Sequence, residues 1–531
     1  MPKSITAHQL RHHWVNQYEI ALLDVREEGP YSESHPLFAI SVPVSEIETK
    51  LPPLVPRLSA PIVVYDNGEG YVERAVARIL ALGYRDITVL EGGLRGYALV
   101  GEVYRDVGVP SKAFGELVEA INHTPSVSAR EAKDVLEDSE SDVAVLDARR
   151  FSEYNTMSIP RGRSCPGGEL LYRFFEAVPS PSTTVIVNCA GRTRSIVGTQ
   201  SLINSGIPNK VVALRNGTIG WTLEGLDLET KKTKRIPRPS TEAARRALEY
   251  AESWAEHVGV SFIDSTQLAR FAAEAREERT LYLLDVRDPE EYASGHLAGF
   301  ANAPGGQLVQ ATDEWVGVRG ARLVLYDTDG VRARMAASWL LQLGWEVHVF
   351  NERSKVLDSL SVHEIPSWTP PKSEGAITVA DFQSLPGPKT VVDLARSPTY
   401  RKGHIPGAWF ASGPEVARDL RRLPLPDDGL IILTSPDGSV AGANVEEVRK
   451  SVSCPPQILY LVGGTAAWVA TGQPLETEAR WLSEPIDVYK RPYEGNGNAR
   501  KDIQGYLDWE YGLVAQLAND GVAGFHVVRH R

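Results

Sequence analysis

One thiol, one glycine and two arginines fall within six residues of this chain, Cys189-Ala-Gly-Arg-Thr-Arg194, with no acid among them. A thiol attacks only as the thiolate, and a free cysteine titrates near ~8.5. A position ahead of a helix N-terminus, beside cationic side chains, lowers that to roughly 7 or below. Inward-pointing N–H groups of such a loop form a concave anion site, and the forked guanidinium groups of Arg192 and Arg194 suit the oxyanion end of a substrate. The stretch reads as a cradle that presents an anion to a thiolate. Taken alone, a cysteine closing a strand is usually a small buried residue; the flanking arginines turn the reading toward chemistry.

The elements that must position this loop are legible on either side of it. Val185 to Val187 is a short apolar run and reads as a buried strand. Ser195 to Leu202 reads as a helix, with Gly206 just past its end.

The same arrangement recurs. A strand ending in aspartate appears as Leu22-Leu-Asp24, Val145-Leu-Asp147, Leu283-Leu-Asp285 and Val391-Val-Asp393. A second apolar strand follows each and ends at Asp66, Cys189, Asp327 and Ser435, 42 residues after the aspartate in every case. The chain is therefore four copies of one unit. Each opens on a helix N-cap signal at Thr6, Ser128, Asp264 or Thr378. After the second strand come a helix (Glu73–Leu82, Ser195–Ser205, Arg332–Leu343, Ala441–Val452) and a further strand (from Ile87, Val211, Val347 and Ile458). Alternating strands and helices imply an α/β fold: a mostly parallel sheet with helices on both faces and ligands at the carboxyl ends of the strands. Cys189 lies at such an end.

The connections are of different character. Glu102 to Thr124 holds one amphipathic helix, Phe114–Ile121; Leu228 to Val258 is basic and then helical over Thr241–His257; Pro366 to Gly375 is short and proline-bearing. The tail from Ala479 carries Trp481, Tyr489, Tyr493, Tyr506, Trp509 and Tyr511, with a helix expected over Asn498–Leu517. It reads as an extension packed across the domains, its aromatic stripe serving as core.

Composition narrows the class. At 531 residues the length suits three to five domains, and 42% apolar and 23% charged residues are ordinary for a globular protein. The N-terminus lacks the apolar segment of a secretory signal, and no run approaches the ~20 residues that span a bilayer. Three cysteines (Cys165, Cys189, Cys454) cannot build a disulfide framework and suit a reducing cytosol, so a cytoplasmic location is expected. A net charge of −12 disfavours nucleic acid and anionic membrane as partners. No Cys/His spacing resembles a metal site, and homo-oligomerisation stays open.

Together these motifs resemble the rhodanese homology domain: Asp-x-Arg, an acidic-tyrosine turn, Gly-His-Ile-Pro-Gly-Ala, then strand, loop and helix. The third copy has Asp285-Val-Arg287, Glu291-Tyr292 and Gly295-His296; the fourth has Gly403-His-Ile-Pro-Gly-Ala408 and Gly463-Gly-Thr-Ala-Ala-Trp468. The second has Asp147-Ala-Arg149, Glu153-Tyr154, Ile159-Pro160 and the cysteine loop. The resemblance covers most of residues 1–478. It implies rhodanese-like domains over 1–105, 124–232, 259–365 and 376–478, with an extension over 479–531. It also implies sulfur transfer. Cys189 would take the outer sulfur of thiosulfate as a persulfide, release sulfite, and pass the sulfur to cyanide or a thiol. Arg192 and Arg194 would bind the sulfonate, and Ala190, Gly191, Thr193 and Ser195 would complete the substrate site, with no cofactor or metal. Departures matter. Met157-Ser158 replaces the Gly-His pair of the second copy, and Asp66, Asp327 and Ser435 replace the thiol elsewhere, so those three copies are expected to be silent, the aspartates by repelling an anion.

Two other readings compete. In a phosphatase or arsenate reductase of the Cys-x5-Arg kind an arginine stands six residues after the cysteine, where this chain has Ser195. A non-catalytic scaffold or sulfur carrier would need no activated thiol. Asp24, Asp147, Asp285 and Asp393 with their arginines read as structural pairs. Cys165 and Cys454 receive no catalytic role, and His12, His13 and His35 read as surface residues.

Overall fold

The computed structural model describes residues 3–275, 277–352, 368–370, 375–423, 429–451, 457–494 and 500–529. Cys454 and most of the connection over 366–375 lie outside them. The chain forms two compact units, one of Met1–Gln9, Ala21–Asp106 and Glu364–Lys490, the other of Leu10–Ile20, Val107–His363 and Arg491–Arg531. The first unit holds most of copy one, copy four and the start of the tail; the second holds copies two and three, Leu10–Ile20 and the tail from Arg491. Among the described residues no helix is long and apolar enough to cross a membrane.

The second copy defines the pattern. A linker helix, α1 (Val109–Asn122), precedes strands β1 (Ser126–Val127), β2 (Val143–Asp147), β3 (Gly162–Ser164) and β4 (Thr184–Asn188). Then come α2 (Thr193–Ser205), β5 (Val211–Leu214) and α3 (Gly217–Leu223). The strand order is 1-5-4-2-3 and every pairing is parallel. β4 is central and apolar on both faces, because helices cover both sides. Helix α2 starts two residues before the expected Ser195 and ends at Ser205 on Gly206, in the left-handed conformation at φ 82°.

The other three sheets repeat this order. The fourth adds a sixth strand, Arg480–Trp481, paired with Trp409–Phe410, so the fourth domain continues beyond the expected boundary at 478. The interstrand hydrogen bonds of Trp409–Phe410 draw this segment into the sheet.

Three of the four strand-end aspartates hold an arginine two residues on. Arg26, Arg149 and Arg287 each approach their aspartate through Nε at 2.9 Å and a terminal nitrogen at 2.6 Å. The fourth copy departs from this, because Ala395 stands at that position. Arg396 turns to Glu28 instead, and burial without a guanidinium partner pushes the Asp393 carboxyl up to about 6. His35, expected at the surface, is fully buried; its ring stacks on Tyr31 at 4.1 Å and meets the carbonyls of Pro36 and Asp106. His296 and His404 stack on Tyr292 and Tyr400 in the same way. The motif histidine thus supports a turn, which explains why the second copy manages with Ser158.

In the second unit, copies two and three meet through Gly168 and Gly306, where a Cβ on either would lie 2.5 Å from the other's backbone nitrogen. Trp339 Nε1 donates to Ser201 Oγ at 2.8 Å. Helix Thr241–Val258 buries Ala243, Ala247, Ala251 and Trp254 against Phe174, Phe175 and Met335. The tail forms α4 (Arg500–Asp520), packed along α1, and residues beyond it bond Gln342 of the third copy. The tail therefore spans copies two and three.

Candidate active site around Cys189

Strand β4 delivers Asn188 and Cys189 to its carboxyl end, beside the Asp147–Arg149 pair that closes β2. Asn188 Nδ2 donates to Asp147 at 2.9 Å, tying the two strand ends together. The Cys189 carbonyl accepts the Thr218 N–H and the Ala190 carbonyl the Ile219 N–H, both at 2.9 Å, so the first turn of α3 anchors the loop. Gly217 makes this approach feasible. Its φ is +52°, and a Cβ there would stand 2.3 Å from the Cys189 oxygen.

The thiol is 1% exposed. Sγ donates to Ser195 Oγ at 3.4 Å, and Ser195 Oγ donates to the Arg192 carbonyl at 2.8 Å. Burial pushes the thiol up, while Arg194, the Ser195 hydrogen bond and Arg149 pull it down. The net direction is upward. Desolvation in the closed loop thus opposes the lowering that the neighbouring cations were expected to bring.

The copies without a thiol reveal what the loop backbone does. In copy one the Asp66 carboxylate accepts N–H bonds from Gly68, Gly70 and Tyr71 at 2.7–3.0 Å. In copy three Asp327 accepts from Gly330 and Ala333, both at 2.8 Å. In copy four Ser435 Oγ accepts from Ala441. Loop amides thus converge on the side chain that replaces the thiol. Asp66 and Asp327 each fill the cradle with their own carboxylate.

The two arginines part company. Arg194 approaches Glu153 through both terminal nitrogens and exerts the strongest cationic pull on the thiol. Arg192, expected to bind the sulfonate, is engaged by other side chains. Its Nε and one terminal nitrogen bind Glu116 on α1 at 2.7 Å, and that nitrogen also meets Glu119. The other terminal nitrogen bonds Tyr511 at 2.9 Å and Asn216 at 3.2 Å. An arginine with every nitrogen engaged in this way holds α1, α2 and α4 together; it has no donor left for a sulfonate. Of the remaining loop residues, Ala190, Gly191 and Thr193 are buried with Cys189, and Thr193 lies against Gly115 of α1.

The sequence brings out Glu153 only as part of a motif and gives no sign of Glu116, Asn216 and Glu510; Tyr511, expected as core in the tail's aromatic stripe, is instead half exposed. The acidic-tyrosine turn is the available signal for Glu153; Glu116, Glu510 and Tyr511 come from segments with no second copy to compare. Cys165 sits in the apolar core with Val187 and Leu202, where burial pushes its thiol up to about 12. Among the described residues no group of three or more His, Cys, Asp or Glu side chains is gathered as a metal site requires.

A family model described as a rhodanese-like domain matches residues 6–99, 128–224 and 268–352. The chain is similar to a crystal structure of a thiosulfate sulfurtransferase from Pseudomonas aeruginosa, with 48% identity and a TM-score of 0.91, over 99% of this chain and 100% of that one. It also matches the rhodanese-like domain of an Anabaena protein at 25% identity and a TM-score of 0.18, over 20% of this chain and 81% of that one. The comparison with curated proteins returned no match.

Proposed function

Because the chain belongs to the rhodanese-like domain family, we propose that it is a thiosulfate sulfurtransferase with Cys189 as its sulfur carrier. The observation that carries the reading is the cradle. The position whose carboxylate accepts loop amides in copies one and three is held in copy two by a thiol, beside Arg194 and Arg149. The Cys189 thiolate attacks the outer sulfur of thiosulfate; the new S–S bond forms as the old one breaks, and sulfite leaves with the electron pair. The terminal persulfide sulfur carries the remaining negative charge, and loop amides stabilise it. Cyanide or a thiolate then attacks that sulfur, restoring the Cys189 thiolate and releasing thiocyanate or a new persulfide.

The pull of Arg194 on the thiol grows in importance because burial opposes ionisation. Arg194 also meets the sulfonate, exchanging part of its bond to Glu153 for the incoming dianion. Arg192 positions the loop through α1 and α4. Copies one, three and four are silent. The chemistry asks for no cofactor, and three cysteines in 531 residues fit the reducing cytoplasm.

Intact-protein and peptide mass spectrometry after incubation with thiosulfate tests this. One added sulfur on the Cys189 peptide, removed by cyanide with release of thiocyanate, is the expected result. No added sulfur in the native protein, or turnover that survives Cys189→Ser, would overturn it.

A further inference from the structure

Helix α4 lies over the Cys189 loop. Ile503 and Leu507 pack on Ile219 and Leu223 of α3, the helix whose first turn anchors the loop. One turn further on, Glu510 is buried, and its Oε2 stands 3.5 Å from where a Cβ on Gly191 would lie. The Tyr511 ring covers the Arg192 guanidinium at 4.0 Å while its hydroxyl meets Arg192 and Asn216. Tyr506 and Trp509 take the Lys112 ammonium of α1 at 5.7 and 5.8 Å. The helix is thus bound to both sides of the loop, and beneath it the thiol is almost without exposure.

We infer that α4 sets the size of molecule that reaches Cys189, with Glu510 and Tyr511 as the specificity-determining residues. Small inorganic donors and acceptors such as thiosulfate and cyanide enter; glutathione-sized and protein thiols are excluded while the helix is seated. The placement argues for this directly. A carboxylate beside Gly191 occupies the space through which a bulky thiol would bring its neighbouring atoms. A small linear nucleophile such as cyanide needs no such space. The aromatic contacts and the Arg192 hydrogen bonds give the closed position its hold.

This inference rests on Cys189 as the sulfur carrier, but its test reads access to the thiol and not sulfur movement. The two can therefore fail separately. Cys189 is labelled in the full-length protein at pH 8 with iodoacetamide and, separately, with fluorescein maleimide. Each rate is divided by the same reagent's rate on glutathione, and the Cys189 peptide is followed by mass spectrometry. In the native protein the normalised maleimide rate is expected to be at least tenfold below that of iodoacetamide. Leu507→Ala loosens the apolar seat, and Glu510→Ala clears the space above Gly191 while keeping that seat. Each should close most of that gap, and Glu510→Ala carries the test if Leu507→Ala fails to fold. Equal normalised rates in the native protein would overturn the inference. So would a gap left intact by the variants that fold.

Discussion

Arg194 meets the carboxylate of Glu153 through both of its terminal nitrogens, at 2.8 and 2.9 Å. The pair recurs 138 residues on as Arg332 with Glu291, in a copy that has no thiol. At the corresponding positions copy one has Tyr71 and Pro30, and copy four has Val440 and Thr399. The two copies that share the second unit thus keep a salt bridge that the other two lack. In copy three Arg332 is also bound by Asp329 and by Glu169 of copy two, so there the pair has become part of the contact between domains. Only in copy two does the guanidinium act on a thiol.

Glu153 therefore restrains the cation that favours the thiolate. Its carboxyl is desolvated, yet Arg194 holds it down at about 2, so it is ionised throughout the working range. Glu153→Gln removes that negative charge and leaves the field of Arg194 uncancelled at the thiol. Iodoacetamide labelling of Cys189 at pH 7.5 should accelerate, by up to about tenfold if the thiol comes to titrate about one pH unit lower. An unchanged rate would mean that Arg194 is not coupled to the thiol.

Arg194 and Arg192 should fail in different ways. Arg194→Ala takes away the strongest cationic pull on Cys189, so labelling and thiosulfate use should both slow by about tenfold or more. Arg192→Ala strips the buried Glu116 of its fork, leaving a carboxylate that burial already pushes up. Breaking a buried pair from one side costs about 3–5 kcal/mol. The urea midpoint of this variant should fall markedly, with a smaller direct effect on labelling where the protein remains folded. If Arg192→Ala kept native stability and lost only thiosulfate affinity, its assignment to the scaffold would be wrong.

The contrast between these arginines shows where the sequence speaks and where it does not. The 42-residue spacing between Asp147 and Cys189 recurs because one sheet topology recurs, and it places Cys189 at a strand end beside Asp147. The partners of Arg192 lie on α1, more than 70 residues upstream, and on α4, more than 300 downstream, in segments that occur once. No period or motif connects such positions; packing does. Burial of the thiol is illegible for the same reason, since what closes the loop is a tail helix. His35 reads as a surface residue because a histidine between Ser34 and Pro36 gives no sign of burial until Tyr31 is seen to stack on it. The fourth copy's arginine looks equivalent to the others, yet a displacement of one residue turns it away from Asp393.

That displacement makes stability of the first unit depend on pH. The Asp393 carboxyl is held at about 6, above its ordinary ~3.9, by burial. A raised carboxyl contributes stability that is fully present below about pH 4 and lost as pH rises through 6. By pH 8 the buried charge costs up to roughly 3 kcal/mol relative to the neutral form. Asp393→Asn keeps an oxygen for the Ala395 N–H, which now reaches Oδ1 at 2.8 Å, and cannot ionise. The variant should gain urea resistance over the native protein at pH 8, about half as much at pH 5 and little at pH 4. A gain of equal size at all these values would locate the effect in packing.

Gly191 and Gly217 enclose the loop from two directions, and substitutions there should separate shape from charge. At Gly217 any side chain meets both a left-handed backbone and the Cys189 oxygen, at 2.3 Å from a Cβ. Backbone cannot yield as a flexible side chain does, so Gly217→Ala should displace the Thr218 and Ile219 N–H bonds and cost both stability and activity. At Gly191 a Cβ would touch only Ile219 Cδ1, at 3.3 Å, and Glu510 Oε2, at 3.5 Å. Both are ends of side chains. Gly191→Ala should therefore fold with near-native stability, whereas the branched side chain of Gly191→Val presses further toward Glu510 and should lift α4 from the loop. The expected result for Gly191→Val is loss of thiosulfate turnover with faster amide hydrogen exchange confined to α4 and the loop. Normal kinetics together with unchanged exchange would show that neither the cradle nor its cover is as tightly fitted as these distances indicate.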